Sequence, residues 1–152
     1  MDTMTINIKP TTPEERASWP KTIIVPLEKP FVDERGAIQP LVDVAMESCV
    51  LISSRKGTVR ANHYHRTDWH YIYILSGSCD YYFRPTGSNQ KLECIRCVAG
   101  DLIFTPPMED HATWFLEDTA FLALSRNPRD QASYEADVVR IPLVDDKGNV
   151  LV

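Results

Sequence analysis

The sequence predicts an all-β fold, a sandwich or barrel of antiparallel strands. Short segments with alternating or β-branched and aromatic residues follow one another, and turn-forming residues such as Gly57, Gly77 and Gly100 separate them. The segments lie too close together for crossover helices, which parallel strands need, so the sheets should be antiparallel. The predicted strands are residues 38–42, 49–53, 58–65, 70–75, 79–84, 91–98, 102–105, 112–115, 120–125 and 137–141.

One clear helix signal precedes these strands. Thr12 is suited to cap a helix, Pro13 suits its first turn, and Glu15 stands three residues after the cap. This helix should end by Pro20, and residues 129–135 are expected to form one more helical turn.

Length and charge restrict the class of protein. A chain of 152 residues has the size of one domain, and we expect a single domain over residues 1–152. The formal net charge of −5 argues against general nucleic-acid binding, which needs a basic surface. No apolar run is long enough to span a membrane and the N-terminus has no apolar leader, so we expect a cytoplasmic protein with no membrane partner.

The 4 cysteines are expected to be reduced, as is usual in the cytosol, and buried as small apolar side chains. Cys94 and Cys97 have the C-x-x-C spacing, but on a strand this spacing turns the two thiols to opposite faces. Cys49 and Cys79 do not supply a second pair, so we expect no zinc site made of cysteines.

The histidines are the main chemical signal. The chain has 4 of them, His63, His65, His70 and His111. His63 and His65 should face the same side of a strand, and the turn 66–69 should let His70 begin the neighbouring antiparallel strand opposite them. Imidazole is a ligand for zinc, copper, iron and nickel, so this cluster predicts a metal site; the alternative is a set of histidines that bind no metal.

The histidines also stand in two motifs. Gly57, His63, His65, His70 and Gly77 follow the form G-x5-H-x-H-x4-E-x6-G, with histidine in place of the glutamate. Gly100, Pro106 and His111 follow the form G-x5-P-x-G-x2-H-x3-N, from which the chain departs at the glycine position and, with Phe115, at the asparagine position. With these two motifs, spanning residues 57–115, the chain resembles the cupin superfamily.

The resemblance implies a double-stranded β-helix, or jelly-roll, barrel with one divalent transition metal ion inside, held by His63, His65, His70 and His111. Ile72, Ile74, Thr113 and Phe115 should then point inwards, and Tyr71, Tyr73 and Trp114 outwards; in the alternative, the tyrosines 73, 81 and 82 line the cavity. Four neutral ligands leave the ion its full charge, which favours anionic or enolate-like ligands. Iron, nickel or manganese would keep open coordination positions, whereas four imidazoles would saturate a tetrahedral zinc.

A further resemblance narrows the family. Residues 31–36, Phe-Val-Asp-Glu-Arg-Gly, and residues 59–65, Val-Arg-Ala-Asn-His-Tyr-His, are similar to segments of nucleotide-sugar cupins, the dTDP-4-dehydrorhamnose 3,5-epimerases and dTDP-sugar 3,4-ketoisomerases. This implies that Arg60 holds substrate phosphates and that His63 removes a proton next to a ketone. Arg55, Lys56 and Arg66, close by in the sequence, would add positive charge for an anionic ligand.

The implied base conflicts with the implied metal, because a coordinated histidine has no free lone pair. The alternative proton carriers are three acids expected on loops beside the ligands, namely Asp68, Glu109 and Asp110. No counterpart of the epimerases' catalytic tyrosine follows the second motif, and Tyr134 lies too far along the chain to take that role on sequence grounds.

Three functions stay open on the sequence. The first is isomerisation or epimerisation of a sugar or nucleotide-sugar next to a carbonyl. The second is a metal-dependent dioxygenase or related small-molecule enzyme, and the third is a ligand-binding cupin without catalysis. We also expect a homodimer formed through the outer sheet, with contributions from residues 23–25 and 121–124.

Overall fold

The chain forms two antiparallel sheets, a hairpin and two short helices, as shown by a computed structural model that describes residue 6 and residues 8–152. The helices are α1 (Pro13–Ser18) and α2 (Gln131–Asp137). The strands are β1 (Phe31–Asp33), β2 (Gly36–Ile38), β3 (Ser48–Ser54), β4 (Val59–His65), β5 (His70–Ser76), β6 (Ser78–Pro85), β7 (Glu93–Val98), β8 (Leu102–Thr105), β9 (Glu109–Phe115), β10 (Thr119–Ser125) and β11 (Val138–Arg140).

Every strand pairing between these elements is antiparallel, which confirms the predicted all-β class. One sheet has the order β3-β10-β5-β8, the other has the order β11-β4-β9-β6-β7, and β1 and β2 form a separate hairpin. Within the described part of the chain, no helix has the length and hydropathy needed to cross a bilayer.

The predicted strands from residue 49 onwards all overlap observed ones, but the strand predicted at 38–42 is wrong. The observed β2 ends at Ile38, because Pro40 has no N–H to donate to a strand ladder. Helix α1 begins as predicted, with the Thr12 hydroxyl accepting a hydrogen bond from the Glu15 N–H. Helix α2 starts later than predicted, since Asp130 caps it by accepting from the Ser133 N–H.

The core has an inner and an outer part. Inside the barrel, Ile74, Tyr81, Phe115 and Phe121 pack together, as expected for Ile74 and Phe115. On the outer face of β5 and β8, Tyr71 packs with Trp69, Leu102 and Phe104, with Tyr73 against them. Trp114 lies against Gly148 of the C-terminal segment. The outward orientation of Tyr71, Tyr73 and Trp114 is therefore as predicted. The alternative placed the tyrosines 73, 81 and 82 in the cavity lining, and of these only Tyr81 lies inside the barrel.

The segment 23–25 pairs with its own barrel. The Val25 N–H donates to the Leu102 carbonyl, and the Phe104 N–H donates to the Ile23 carbonyl. The segment thus extends the edge of β8 within one chain, and a homodimer stays a prediction.

All four cysteines are free. Cys79 and Cys97 are buried partners across β6 and β7, but Cys49 and Cys94 are exposed, so the expectation of four buried thiols is wrong for those two. Cys49 lies on β3 and Cys94 on β7, which are edge strands of different sheets, and alternation leaves both thiols uncovered on the outer face. The predicted separation of Cys94 and Cys97 to opposite faces agrees with their burial.

The turn between β5 and β6 depends on Gly77. Its φ is +90°, and a Cβ there would lie 2.5 Å from the Asp118 carbonyl oxygen and 2.7 Å from the Thr119 Cα. We expect Gly77→Ala to lower the free energy of unfolding by about 2–5 kcal/mol, from backbone strain plus overpacking. Gly87→Ala is the matched control, because its φ is +79° with nothing within 4 Å. Urea denaturation of both variants measures the difference, and equal losses would contradict the packing argument.

Candidate active site

A cavity of about 160 Å³ lies between the two sheets. Its lining includes all four histidines, together with Arg60, Asp68, Arg129 and Tyr134. Ile72 and Thr113 also line it, as expected from their inward positions. A larger groove of about 360 Å³, between the N-terminal segment and the loop after β10, contains no histidine. The chemistry-bearing residues therefore converge on the smaller cavity.

Two strands of one sheet supply three of the histidines. His63 and His65 lie on β4, and His111 on β9 is the register partner of His63. The ring centroids are 4.7 Å apart for His63–His65, 4.7 Å for His63–His111 and 5.9 Å for His65–His111. One ring nitrogen of each lies within 4.8 Å of the other two, a spacing that one metal ion can bridge.

His70 reaches the cluster from the other sheet. The expectation that it begins a strand next to β4 is wrong, because β4 pairs with β9 and β11, whereas β5 pairs with β8 and β10. The turn at 66–69 crosses between the sheets, so His70 faces His65 and His111 across the cavity, 5.7 Å from each ring.

A bulge in β4 precedes the first histidine. Ala61 and Asn62 have positive φ values of 70° and 53°, and the register with β9 shifts between Ala61 and His63. The Asn62 side chain holds this conformation, since it donates to the Val144 carbonyl and accepts from the N–H groups of Leu143 and Val144. Bulges redirect the side chains that follow them, and this one aims His63 into the cavity.

Two of the histidines have Nδ1 within hydrogen-bond distance of an acceptor. His65 Nδ1 lies 3.2 Å from Asp137 Oδ2, and His111 Nδ1 lies 2.9 Å from the Glu109 carbonyl oxygen. His70 Nδ1 lies 3.8 Å from Asp68 Oδ2. An acceptor at Nδ1 places the proton there and leaves the Nε2 lone pair free, which is the usual arrangement of metal-binding histidines.

Burial keeps three of the four histidines uncharged. It lowers the pKa of His63 to about 3, with further lowering from His65, His70 and the nearby arginines. Burial also lowers the pKa of His70, and burial together with the other three imidazoles lowers the pKa of His111. These three side chains are therefore neutral at pH 7 and able to donate a lone pair.

We expect the metal-free protein to lose stability as the pH falls from about 6.5 towards about 3. The first value is the ordinary pKa of histidine, and the second is the pKa of His63 in the folded chain. In this window the unfolded chain binds more protons than the folded one. The stability contributed by the neutral His63 is therefore fully present above its pKa in the unfolded chain, and it is lost as the pH falls towards its pKa in the folded chain. Each pKa unit corresponds to about 1.4 kcal/mol. Urea denaturation of the chelated protein across the window measures this.

Glu109 has the opposite effect on the pH dependence of stability, because burial raises its pKa from 4.5 to about 7. Between those values the folded chain holds a proton that the unfolded chain has lost. Glu109→Gln should therefore make the loss of stability on acidification steeper. In the Glu109→Gln variant, a free energy of unfolding that stays constant across the window would contradict the lowered pKa of His63.

The three predicted acids are placed differently. Asp68 lines the cavity, is buried and accepts a hydrogen bond from the Asn127 N–H at 2.9 Å. The expectation that Glu109 and Asp110 lie on a loop is wrong, because β9 begins at Glu109, before the histidine. Asp110 faces away from the cavity and pairs with Arg84 Nε at 3.0 Å, which removes it as a proton carrier. Glu109 accepts a hydrogen bond from the Tyr81 hydroxyl at 2.9 Å.

Of the four basic residues expected near the cluster, only Arg60 lines the cavity. Its Nε donates to the Ser54 hydroxyl at 2.6 Å and its Nη2 to the Ser53 carbonyl at 3.0 Å. Arg129, which belongs to neither histidine motif, lines the cavity as well.

Helix α2 supplies two more residues that sequence reasoning missed. The Tyr134 ring lies 5.9 Å from that of His65 and 6.5 Å from that of His63. Asp137 also accepts from the Thr67 N–H and hydroxyl and from the Asp68 N–H. The expectation that Tyr134 lies too far along the chain to reach the site is wrong, because β11 pairs with β4 and brings the helix onto the histidines. The sequence does contain a signal for these two residues, because Tyr134 and Asp137 share one face of a capped helical turn.

No protein-family model and no curated protein matches this chain. Among solved structures, the chain is similar to a double mutant of the 3,4-ketoisomerase QdtA from Thermoanaerobacterium thermosaccharolyticum in complex with TDP. The two sequences are 20% identical, the match covers 78% of this chain and 86% of that chain, and the TM-score is 0.62. It is also similar to dTDP-4-dehydrorhamnose 3,5-epimerase from Sulfolobus tokodaii, with 18% identity, 70% of each chain covered and a TM-score of 0.56.

A third similar structure is NovW, a 4-keto-6-deoxy sugar epimerase from Streptomyces spheroides, with 17% identity, 80% of this chain and 70% of that chain covered, and a TM-score of 0.61. At these identities the likeness shows the fold. The fold is the cupin-type jelly-roll barrel, as the two histidine motifs implied.

Proposed function

We propose that the chain is an enzyme that isomerises or epimerises a nucleotide-linked sugar at a carbon next to a carbonyl, in a cavity where histidines hold one divalent transition metal ion. The carrying observation is the convergence of the four imidazoles on one cavity, with Nδ1 of His65 and of His111 within hydrogen-bond distance of an acceptor. The solved structures similar to this one include sugar ketoisomerases and epimerases, which supports the reaction class.

The donor set fits a metal ion. His63, His65 and His111 would hold it, with His70 opposite them, and imidazole is a suitable ligand for iron, nickel or zinc. A divalent ion bound there would polarise a carbonyl oxygen and stabilise the negative charge of an enolate. The neutral ligands would leave the charge of the ion uncompensated, which favours such an anion.

Proton transfer would fall to residues that do not bind the metal. Tyr134 is half-buried beside His63 and His65, and burial raises the pKa of its phenol, so the hydroxyl is protonated at neutral pH and can act as an acid. Asp68 also lines the cavity, near His70, and can accept a proton. Arg60 would hold the anionic part of the substrate, as the sequence resemblance implied.

A second mechanism for the same reaction rests on the buried pair of His65 and Asp137. Their 3.2 Å contact orients His65 as a base with Nε2 towards the cavity, without a metal. In this mechanism the base is His65, not His63, because the structure gives the carboxylate partner to His65. The dioxygenase and the non-catalytic alternatives stay predictions, and oxygen consumption with ferrous iron would be the mark of the first.

The test is exchange of the proton next to the carbonyl. TDP-4-keto-6-deoxyglucose, a ligand in one similar structure, is incubated in heavy water with the purified protein, whose metal content has been determined. Deuterium at a carbon beside the ketone, lost on chelation and restored by one metal, supports the metal-assisted reaction. Exchange that survives chelation supports the His65–Asp137 mechanism. No exchange with any metal added would overturn the proposed function.

A further inference from the structure

Asp68 is a buried carboxylate, and only one of its two oxygens meets a hydrogen-bond donor in the described part of the chain. The side chain lines the histidine cavity, and Oδ1 accepts from the Asn127 N–H at 2.9 Å. The ion pairs of lysine and arginine within residues 8–152 all use other acids. Buried carboxylates are normally paired with a cation or bound to a metal, so Oδ2 has the environment of a cation ligand.

Oδ2 of Asp68 faces the ring of His70. The distance from Oδ2 to His70 Nδ1 is 3.8 Å, which is too long for a hydrogen bond. Two ligand atoms bonded to one divalent ion at about 2.1 Å each lie about 3–4.2 Å apart, depending on the angle between the bonds. The separation of these two atoms therefore suits a shared cation better than a direct hydrogen bond.

His65 completes a set of three donors with this pair. One ligand atom each of His65, Asp68 and His70 lies within 4.8 Å of the other two, and all three side chains are buried. His65 Nδ1 lies 3.2 Å from Asp137 Oδ2, so the nitrogen that His65 offers to a cation is Nε2. The three residues lie on β4, on β5 and in the turn that joins them, so they come from one continuous stretch of chain.

This second set shares His65 with the set of His63, His65 and His111. Because His65 has one free nitrogen, the two sets cannot bind an ion at the same time. The first set contains imidazoles alone, which suit zinc, copper, iron and nickel. The second contains a carboxylate, a ligand that suits magnesium, calcium and manganese. The two sets should therefore select different ions.

We propose that His65, Asp68 and His70 form a second position for a divalent cation, which takes Mn²⁺ and excludes an ion from the first position. Mn²⁺ is the most weakly bound ion of the first-row series, so it exchanges with the solution, whereas the first position retains its ion during purification. A cation at the second position leaves the lone pairs of His63 and His111 free, and His63 can then remove a proton, as the resemblance implied. That consequence rests on the proposed function, but the binding of Mn²⁺ does not. Asp68 is available as a proton acceptor only while the cation is at the first position.

The test is titration of the chelated full chain with Mn²⁺, followed by the electron paramagnetic resonance signal of the free ion. The parent chain should bind one equivalent. Asp68→Asn removes the charged ligand but keeps an oxygen for the Asn127 N–H, and it should weaken binding by about 100-fold, the upper figure for changing a residue that orients a ligand. Asp43→Asn is the matched control, exposed and outside the cavity lining, and should bind as the parent chain does. His111→Ala should still bind added Mn²⁺, although it lacks the first position.

Equal Mn²⁺ affinity of Asp68→Asn and the parent chain would overturn the inference, as would loss of Mn²⁺ binding by a folded His111→Ala variant. A zinc-loaded chain that binds a full further equivalent of Mn²⁺ would contradict the sharing of His65. These outcomes are separable from failure of the proposed function. If Mn²⁺ binding depends on Asp68 but no proton exchange occurs, the inference stands and the isomerase function fails. If exchange occurs and Asp68→Asn binds Mn²⁺ as tightly as the parent chain, the function stands and the inference fails.

Discussion

His111→Ala is expected to remove the metal from the protein and to abolish turnover. His111 is buried, and its Nδ1 is held by the Glu109 carbonyl at 2.9 Å, so Nε2 is the only nitrogen it can offer to a metal. Changing a residue that merely orients a ligand costs about 10- to 100-fold in metal affinity, and loss of the ligand itself should cost at least the upper figure. Bound metal per chain, determined by mass spectrometry after gel filtration, measures this.

A control must separate loss of the ligand from loss of the fold. All 4 histidines belong to the cluster, so the matched variant is Tyr82→Phe, on the strand that pairs with β9 but packed on the outer side against Leu143 and Val144. It should keep its metal. Circular dichroism should show that His111→Ala is folded. A folded His111→Ala variant with a full complement of metal would refute the metal centre as we propose it.

Tyr134→Phe is expected to lower turnover by about 100- to 10,000-fold, the range that a positioned acid or base contributes. The variant removes only the hydroxyl, so the ring still covers His63 and His65 and still lies under the Arg129 guanidinium. TDP affinity and metal content should therefore stay as in the parent chain. The measurement is the rate of proton exchange at saturating substrate.

Tyr73→Phe serves as the comparison, because Tyr73 packs on the outer face of β5 and does not line the cavity. It should react at the parent rate. Should Tyr134→Phe also react at that rate, the proton must come from another group, and Asp68 becomes the residue to change next.

The local features of this protein were predictable from its sequence. Alternation with a period of two residues is a property of each strand by itself, and it located β3 to β11 to within a few residues. The turn chemistry of Thr12 and Pro13 likewise located α1. The four histidines could be selected because three lie close together in sequence and the fourth stands in a recognisable motif.

The features that depend on pairing between distant strands were not predictable in this way. Whether β5 lies beside β4 or opposite it depends on the path of the turn at 66–69, which no residue pattern specifies. Tyr134 and Asp137 reach the site only because β11 pairs with β4. Asp110 was misplaced because the observed β9 begins at Glu109, and that alternation turns Asp110 away from His111.

The strand order has a consequence for how the chain folds. Ser54 pairs with Thr119 and His65 pairs with Val138, so each sheet joins segments that are far apart along the chain. Such topologies pay the entropy of closing long loops before the contacts form, and they fold in milliseconds to seconds. His63, His65 and His70 are close neighbours in the unfolded chain, whereas His111 joins them only once β9 has docked on β4. Completion of the four-histidine cluster is therefore a late event in folding, and the complete site exists only in a chain whose long-range pairing is already finished.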